Sequence, residues 1–135
     1  MGNVLDSVLQ SVIDMAMQTS PYAQITMGAL PSENGICMSA SSGAANETFY
    51  NRSDNYYMTV VLNGKHHQQK TVFDALTAIH KRLTRAFLYP SGEEWQVYSI
   101  TTISAPTYLG RQDDGQWLYG SSLRINFYWR NLNAY

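Results

Sequence analysis

Apolar residues follow two rhythms along this chain, and the alternation between them lays out the elements in order. Val4, Leu5, Val8, Leu9, Val12, Ile13 and Ala16 recur at three- and four-residue steps, which is the spacing of one helix face. Asn3 stands where an N-cap belongs, Asp6 suits the positive end of the helix dipole, and Pro21 closes the element. A second helical period runs from about Gln68 to Phe87, with Val72, Leu76, Ile79, Leu83 and Phe87 as its core stripe, helped by Phe73. Lys81, Arg82 and Arg85 crowd its last turns, where cations complement the dipole, and Pro90 stops it.

Period-two runs fill the rest. Gln24 to Leu30 and Ile36 to Ser41 read as short strands joined through "PSENG", a turn of three to five residues. In Tyr56 to Leu62 both alternating faces are apolar, the mark of a central strand, and Asn63-Gly64 is expected to turn the chain into the second helix. Glu94 to Ser104 and Trp117 to Arg130 complete the set, with "QDDGQ" between them and Asp114-Gly115 as its tightest point. In the last strand Trp117, Tyr119, Leu123, Ile125, Phe127 and Trp129 share one face, while Arg124, Asn126, Tyr128 and Arg130 share the other. The stretch "SSGAANETFYNRSDN" has no apolar period and reads as a long loop. The order predicts an α+β domain, a mainly antiparallel or mixed sheet of four to five strands with two helices packed on one face.

Composition changes this picture in one respect. At 135 residues the chain fits a single domain spanning 1–135, but only 14% of its residues are charged where about 25% is usual. Ten tyrosines accompany that deficit. A surface short of Lys and Glu and rich in Tyr resembles an interface more than a solvated exterior. The formal net charge of -1 gives no electrostatic footprint for nucleic acid or an anionic membrane. The lone Cys37 excludes an internal disulfide, agrees with a reducing compartment, and is expected to be a small buried hydrophobe. No run has the length of a membrane span and the N-terminus lacks a basic n-region, so neither a span nor a signal peptide is expected. The sequons at Asn46 and Asn51 then read as chance matches.

Candidate chemistry is thin. His66 and His67 point to opposite sides of a strand and His80 lies turns away on a helix, so the three read as solvated rather than as metal ligands. Glu93-Glu94 and Asp113-Asp114 sit at turns, where carboxylates are solvated or accept local backbone hydrogen bonds. The glycines are scattered singly, without the loop that cradles a phosphate. No catalytic, cofactor-binding or metal residue is therefore named, and no enzyme activity or cofactor is expected.

From "YYMTVVLNGK" through "TVFDALTAIHKRL" to "PSGEEWQVYSITTISAPTYLGRQDDGQWLYGSSLRINFYWR", the sequence resembles the minor capsid and tail terminator proteins of long-tailed, siphovirus-type bacteriophages and prophages. The likeness is carried by Ser104 to Pro106 ending a strand, Leu109-Gly110, the acidic turn Asp113 to Gly115, and Trp117 to Tyr119 opening a strand that reaches Tyr128. It covers over half the chain and leaves out Pro21 to Asn55. It implies a ring, usually a hexamer of the chain itself, that caps the tail tube, ends its polymerisation and offers a surface to a head completion or connector protein. The major tail tube protein would be its other partner, with nucleic acid only passing through the ring. The chain would belong to the virion tail, and to the host cytoplasm during assembly.

Two polar excursions are the expected contact surfaces. Asn46, Phe49, Tyr50 and Arg52 mark the long loop, and Arg111, Gln112, Asp113 and Asp114 mark the turn. Arg124 and Tyr128 mark the outward face of the last strand. The competing reading is a monomeric α+β module that binds a small ligand or a single nucleic-acid strand, which predicts a concave pocket or an exposed aromatic platform.

Overall fold

The computed structural model describes residues 4–40 and 55–129, and its elements follow the predicted order. Helix α1 spans Val4–Met17 and is followed by strands β1 (Ile25–Met27), β2 (Gly35–Ala40) and β3 (Asn55–His66). Helix α2 (Gln69–Thr84) precedes β4 (Trp95–Arg111) and β5 (Trp117–Trp129). The Asn3 cap, both sequons and the loop residues Asn46, Phe49, Tyr50 and Arg52 lie outside the described residues.

One five-stranded sheet runs in the order β1-β2-β3-β5-β4. It is mixed, because β1 pairs parallel to β2 while every other pair is antiparallel. The parallel pair departs from a simple hairpin through "PSENG", and its brevity explains how. Three residues rise only about 10 Å, so residues 28–34 suffice to carry the chain back alongside its own start. Strand β3 is central, as its two apolar faces require. Helix α2 carries the chain across β5 to the far edge, and the β4–β5 hairpin then fills the gap.

Both helices cover one face of the sheet, and the predicted stripes make the core. Val8, Val12 and Ala16 of α1 and Val72, Leu76, Ile79 and Leu83 of α2 are fully buried against Met58, Val60, Leu62, Leu123, Ile125 and Phe127. Each of these side chains larger than Ala16 contributes on the order of 1.5–3 kcal/mol relative to exposure. Cys37 is buried too, and burial pushes its thiol above the usual range, so it behaves as the inert hydrophobe expected.

Four local readings need correction. Ser104 to Pro106 do not end a strand: β4 passes through them with shifts of register and stays paired to β5 as far as Arg111. The Asn63-Gly64 pair does not turn: β3 runs on to His66, with Gly64 paired to Tyr119 of β5. Gly64 is there for close approach, since a Cβ would lie 2.9 Å from Val72 Cγ2, 3.1 Å from Tyr22 Oη and 3.3 Å from Leu76 Cδ2. Helix α2 ends at Thr84 rather than reaching Phe87. The Tyr89 hydroxyl donates to the Leu83 carbonyl at 2.7 Å, which satisfies a carbonyl that a further turn would have used. Phe87 is consequently solvent-exposed, and Phe73 is half out of the core. His80, read as a surface residue, is buried, and its ring bonds the Thr102 and Ser121 hydroxyls.

A Gly64→Ala substitution is expected to destabilise the fold by about 1–2 kcal/mol, because the wedge meets branched side chains in a packed layer. Denaturant unfolding measures it; an unchanged midpoint would mean that α2 shifts freely on the sheet.

Candidate interaction surface

With the helices on one side, the outward positions of β3, β4 and β5 form a broad face that is half-buried to exposed, as at Tyr57, Thr59, Ser122, Arg124 and Tyr128, and closes only near Gly120, under Leu109, and Lys65. Its side chains are mainly hydroxyls, amides and phenols, with Val61 and Leu118 among them, and several pair across strands. The Ser104 and Ser122 hydroxyls lie 2.8 Å apart, Asn126 Nδ2 donates to Ser99 Oγ at 2.9 Å, and the Arg124 guanidinium sits 4.4 Å from the Tyr57 ring centroid. Arg124 is the exposed charge in the middle of this face. A cation over a ring at an exposed site contributes only about 0.5–1 kcal/mol, which holds Arg124 flat without committing it. Such a face is cheap to desolvate compared with one studded with Lys and Glu.

The β4–β5 turn lies at one end of the sheet and is firmly held. Within it the Gln112 N–H donates to the Gln116 carbonyl at 2.8 Å and the Gly115 N–H to the Gln112 carbonyl at 2.9 Å. Asp114 accepts from the Gln116 N–H at 3.0 Å and from Gln116 Nε2 at 2.6 Å. That backbone bond first, and then the side-chain one, holds its carboxyl below the usual carboxylate range, helped by the charge of Lys65. Gln116 itself is fully buried. Its Nε2 also donates to the Ser32 carbonyl at 3.1 Å, and its Oε1 accepts from the Asn34 N–H at 2.6 Å. Buried Lys65 donates to the same Ser32 carbonyl at 3.0 Å. The turn is thereby tied to the loop before β2.

An aromatic ladder leads from this turn to α2. The Arg111 guanidinium lies 5.0 Å from the Trp117 ring, Trp117 touches Tyr108 at 5.8 Å, Tyr108 meets Tyr119 at 5.8 Å, and Tyr119 meets Phe73 at 5.7 Å. Tyr108 and Phe73 are among the exposed large hydrophobics. Aromatics with Arg at the rim are the composition of interface centres.

At the opposite end, Tyr128 stacks on Tyr98 at 4.5 Å. Partial burial and then the neighbouring Tyr128 push the Tyr98 phenol upward. Tyr128 also walls a shallow cleft of about 260 Å³ whose other side is the turn at residues 91–96. The structure thus places the expected contact residues in two groups. Arg111, Gln112, Asp113 and Asp114 share one exposed turn, whereas Tyr128 lies roughly 35 Å along β5 from it at ~3.3 Å per residue, with Arg124 between.

Sequence reasoning missed Gln116 and Lys65, whose burial depends on a loop distant in sequence. It also missed the cleft, for which the only signal was Gly92 three residues before Trp95.

No family model matches this sequence, and no curated protein matches it. Among solved structures, the chain is similar to one from the "virion of native gene transfer agent (GTA) particle", at 9% sequence identity and a TM-score of 0.67. The likeness covers 94% of this chain and 99% of that one, so it is a likeness of fold that extends over nearly the whole of both.

Proposed function

We propose that the chain is a structural virion protein that forms a ring, a hexamer by its sequence resemblance, on the end of a tail tube. There it would end tube polymerisation and offer its other face to the head connector. The observation that carries this reading is the likeness of fold to a virion chain over almost the full length of both partners. The sequence resemblance to tail terminators, noted on independent grounds, narrows it from virion component to tube cap. The geometry supports it further: a largely open sheet face of mainly neutral polar side chains suits burial against a neighbour, and the pinned Gln112–Gln116 turn offers Arg111 and Asp113 in fixed positions. A ring needs two different contact surfaces on each subunit, and the molecule presents exposed aromatics at both ends of its sheet.

The reading is tested by deleting the gene in a producing strain and imaging the particles. Tubes of uncontrolled length and heads left unjoined are expected. Tubes of normal length attached to heads would overturn it.

A further inference from the structure

Two surface features remain unused by the fold. Phe87 and Leu88 follow α2 as an apolar knob, 104% and 85% exposed, with Lys81 and Arg85 exposed beside it. Among the described residues neither cation makes an ion pair or hydrogen bond. The second feature is the cleft walled by Tyr128. Its shape comes from a tight hairpin: the Gly92 N–H donates to the Trp95 carbonyl at 2.9 Å, the Val97 N–H donates to the Pro90 carbonyl at 3.0 Å, and Ser91 bridges Gln96. The Trp95 indole folds over Gly92 so closely that a Cβ there would overlap it, which fixes the ring in the cleft. Glu93 stands exposed and Glu94 half-buried at the rim, also without a partner among the described residues.

The cleft is an aromatic socket with an acidic rim, and the knob is apolar with a basic flank. At about 260 Å³ the socket falls below the ~300–1,000 Å³ of small-molecule pockets, a size for one or two protruding side chains. Its own Phe87 does not fill it, since that ring is in solvent. We infer that the Phe87-Leu88 knob of one copy of this chain seats in the Trp95–Tyr128 socket of another, with Lys81 and Arg85 facing Glu93 and Glu94 across the rim. Charge complementarity selects a second copy as the occupant, because one protomer carries both halves. The arrangement is that of an interface hot spot, an aromatic centre sealed by a charged rim. It names the subunit contact of the ring proposed above and rests on that reading.

The test is sedimentation of the purified full chain, followed by charge exchange. Phe87→Ser, the pair Lys81→Glu with Arg85→Glu, and the pair Glu93→Arg with Glu94→Arg should each weaken self-association about thirty-fold or more, the scale of a hot-spot loss. Phe87, Lys81, Arg85 and Glu93 are exposed and Glu94 is half-buried outside the core, so thermal melts should stay near wild type. Combining the two charge reversals in one chain should restore association to within a few-fold, and salt should weaken the wild-type contact. A wild type that is monomeric at every concentration, single variants that assemble normally, or a combined variant that does not recover would each overturn the contact. If these variants associate normally while the protein still caps tubes, the ring reading stands and its contact lies elsewhere. If the exchange behaves as expected but tubes are never capped, the contact stands and the tail reading falls.

Discussion

Lowering the pH from 6.5 to 5 is expected to destabilise the fold through His80, with a slope of at most ~1.4 kcal/mol per pH unit for one proton. The imidazole is buried under α2 with Nδ1 2.9 Å from Thr102 Oγ1 and Nε2 2.7 Å from Ser121 Oγ. Ser121 donates onward to the Leu62 carbonyl at 3.2 Å. That bond fixes the pattern of protons: Nε2 carries the hydrogen and donates to Ser121, and Nδ1 accepts from Thr102. The neutral ring is therefore fully satisfied, whereas a second proton would put a charge among hydroxyls and apolar side chains.

Burial lowers the His80 pKa in the fold, so the unfolded chain takes up its proton first, at a pH near 6.5. The stabilisation is complete above that value and is lost as pH falls toward the depressed folded pKa. His66 contributes in the same direction, through burial and then the charge of His67. Urea unfolding of wild type and His80→Gln at pH 7 and pH 5 separates them. The variant should be less stable at pH 7 and should lose most of the pH dependence. Equal slopes in the two proteins would show that His80 is not the titrating group.

Replacing Gln116 by Leu should destabilise the fold by about 2–3 kcal/mol, near the upper end for stranding buried polar groups. The volume is nearly kept, so the effect is polar rather than steric. The Asn34 N–H would lose its acceptor, and the Ser32 carbonyl would keep only Lys65. Asp114 would lose one of its two donors from Gln116 but keep the backbone one. Hydrogen exchange should then quicken in both the Gln112–Gln116 turn and the loop before β2, which the amide joins, while the β3–β5 pairs stay protected. A variant within 0.5 kcal/mol of wild type would mean that water replaces the amide and that the turn is not pinned by it.

The parts of the molecule that obey a local period were legible in the sequence. The stripes of α1 and α2 and the alternation in β5 depend only on which side of an element faces the core, and most of their residues are buried as expected, while Leu5, Trp117 and Trp129 are only partly so and Phe73 and Phe87 are exposed. Features set by distant contacts were not legible. Asn63-Gly64 has turn composition, yet its neighbours in space, Val72 and Tyr22, make it a point of close packing in a strand. Phe87 continues the α2 stripe on paper, but Tyr89 claims the Leu83 carbonyl that the Phe87 N–H would have used. His80 sits one step from Ile79 and turns inward because Thr102 and Ser121, from two other strands, provide its partners. The surface was legible as composition only: the scarcity of charge pointed to burial against partners, while the aromatic ladder and the socket required the sheet to bring β4, β5 and α2 together.

The central claim is that this chain assembles on the end of a tube. Negative-stain imaging of the purified protein, alone and mixed with tail tubes from the same source, tests it most directly. The account predicts rings, or caps confined to one end of the tubes. Isolated particles that never decorate a tube would contradict it and favour a monomeric binding module.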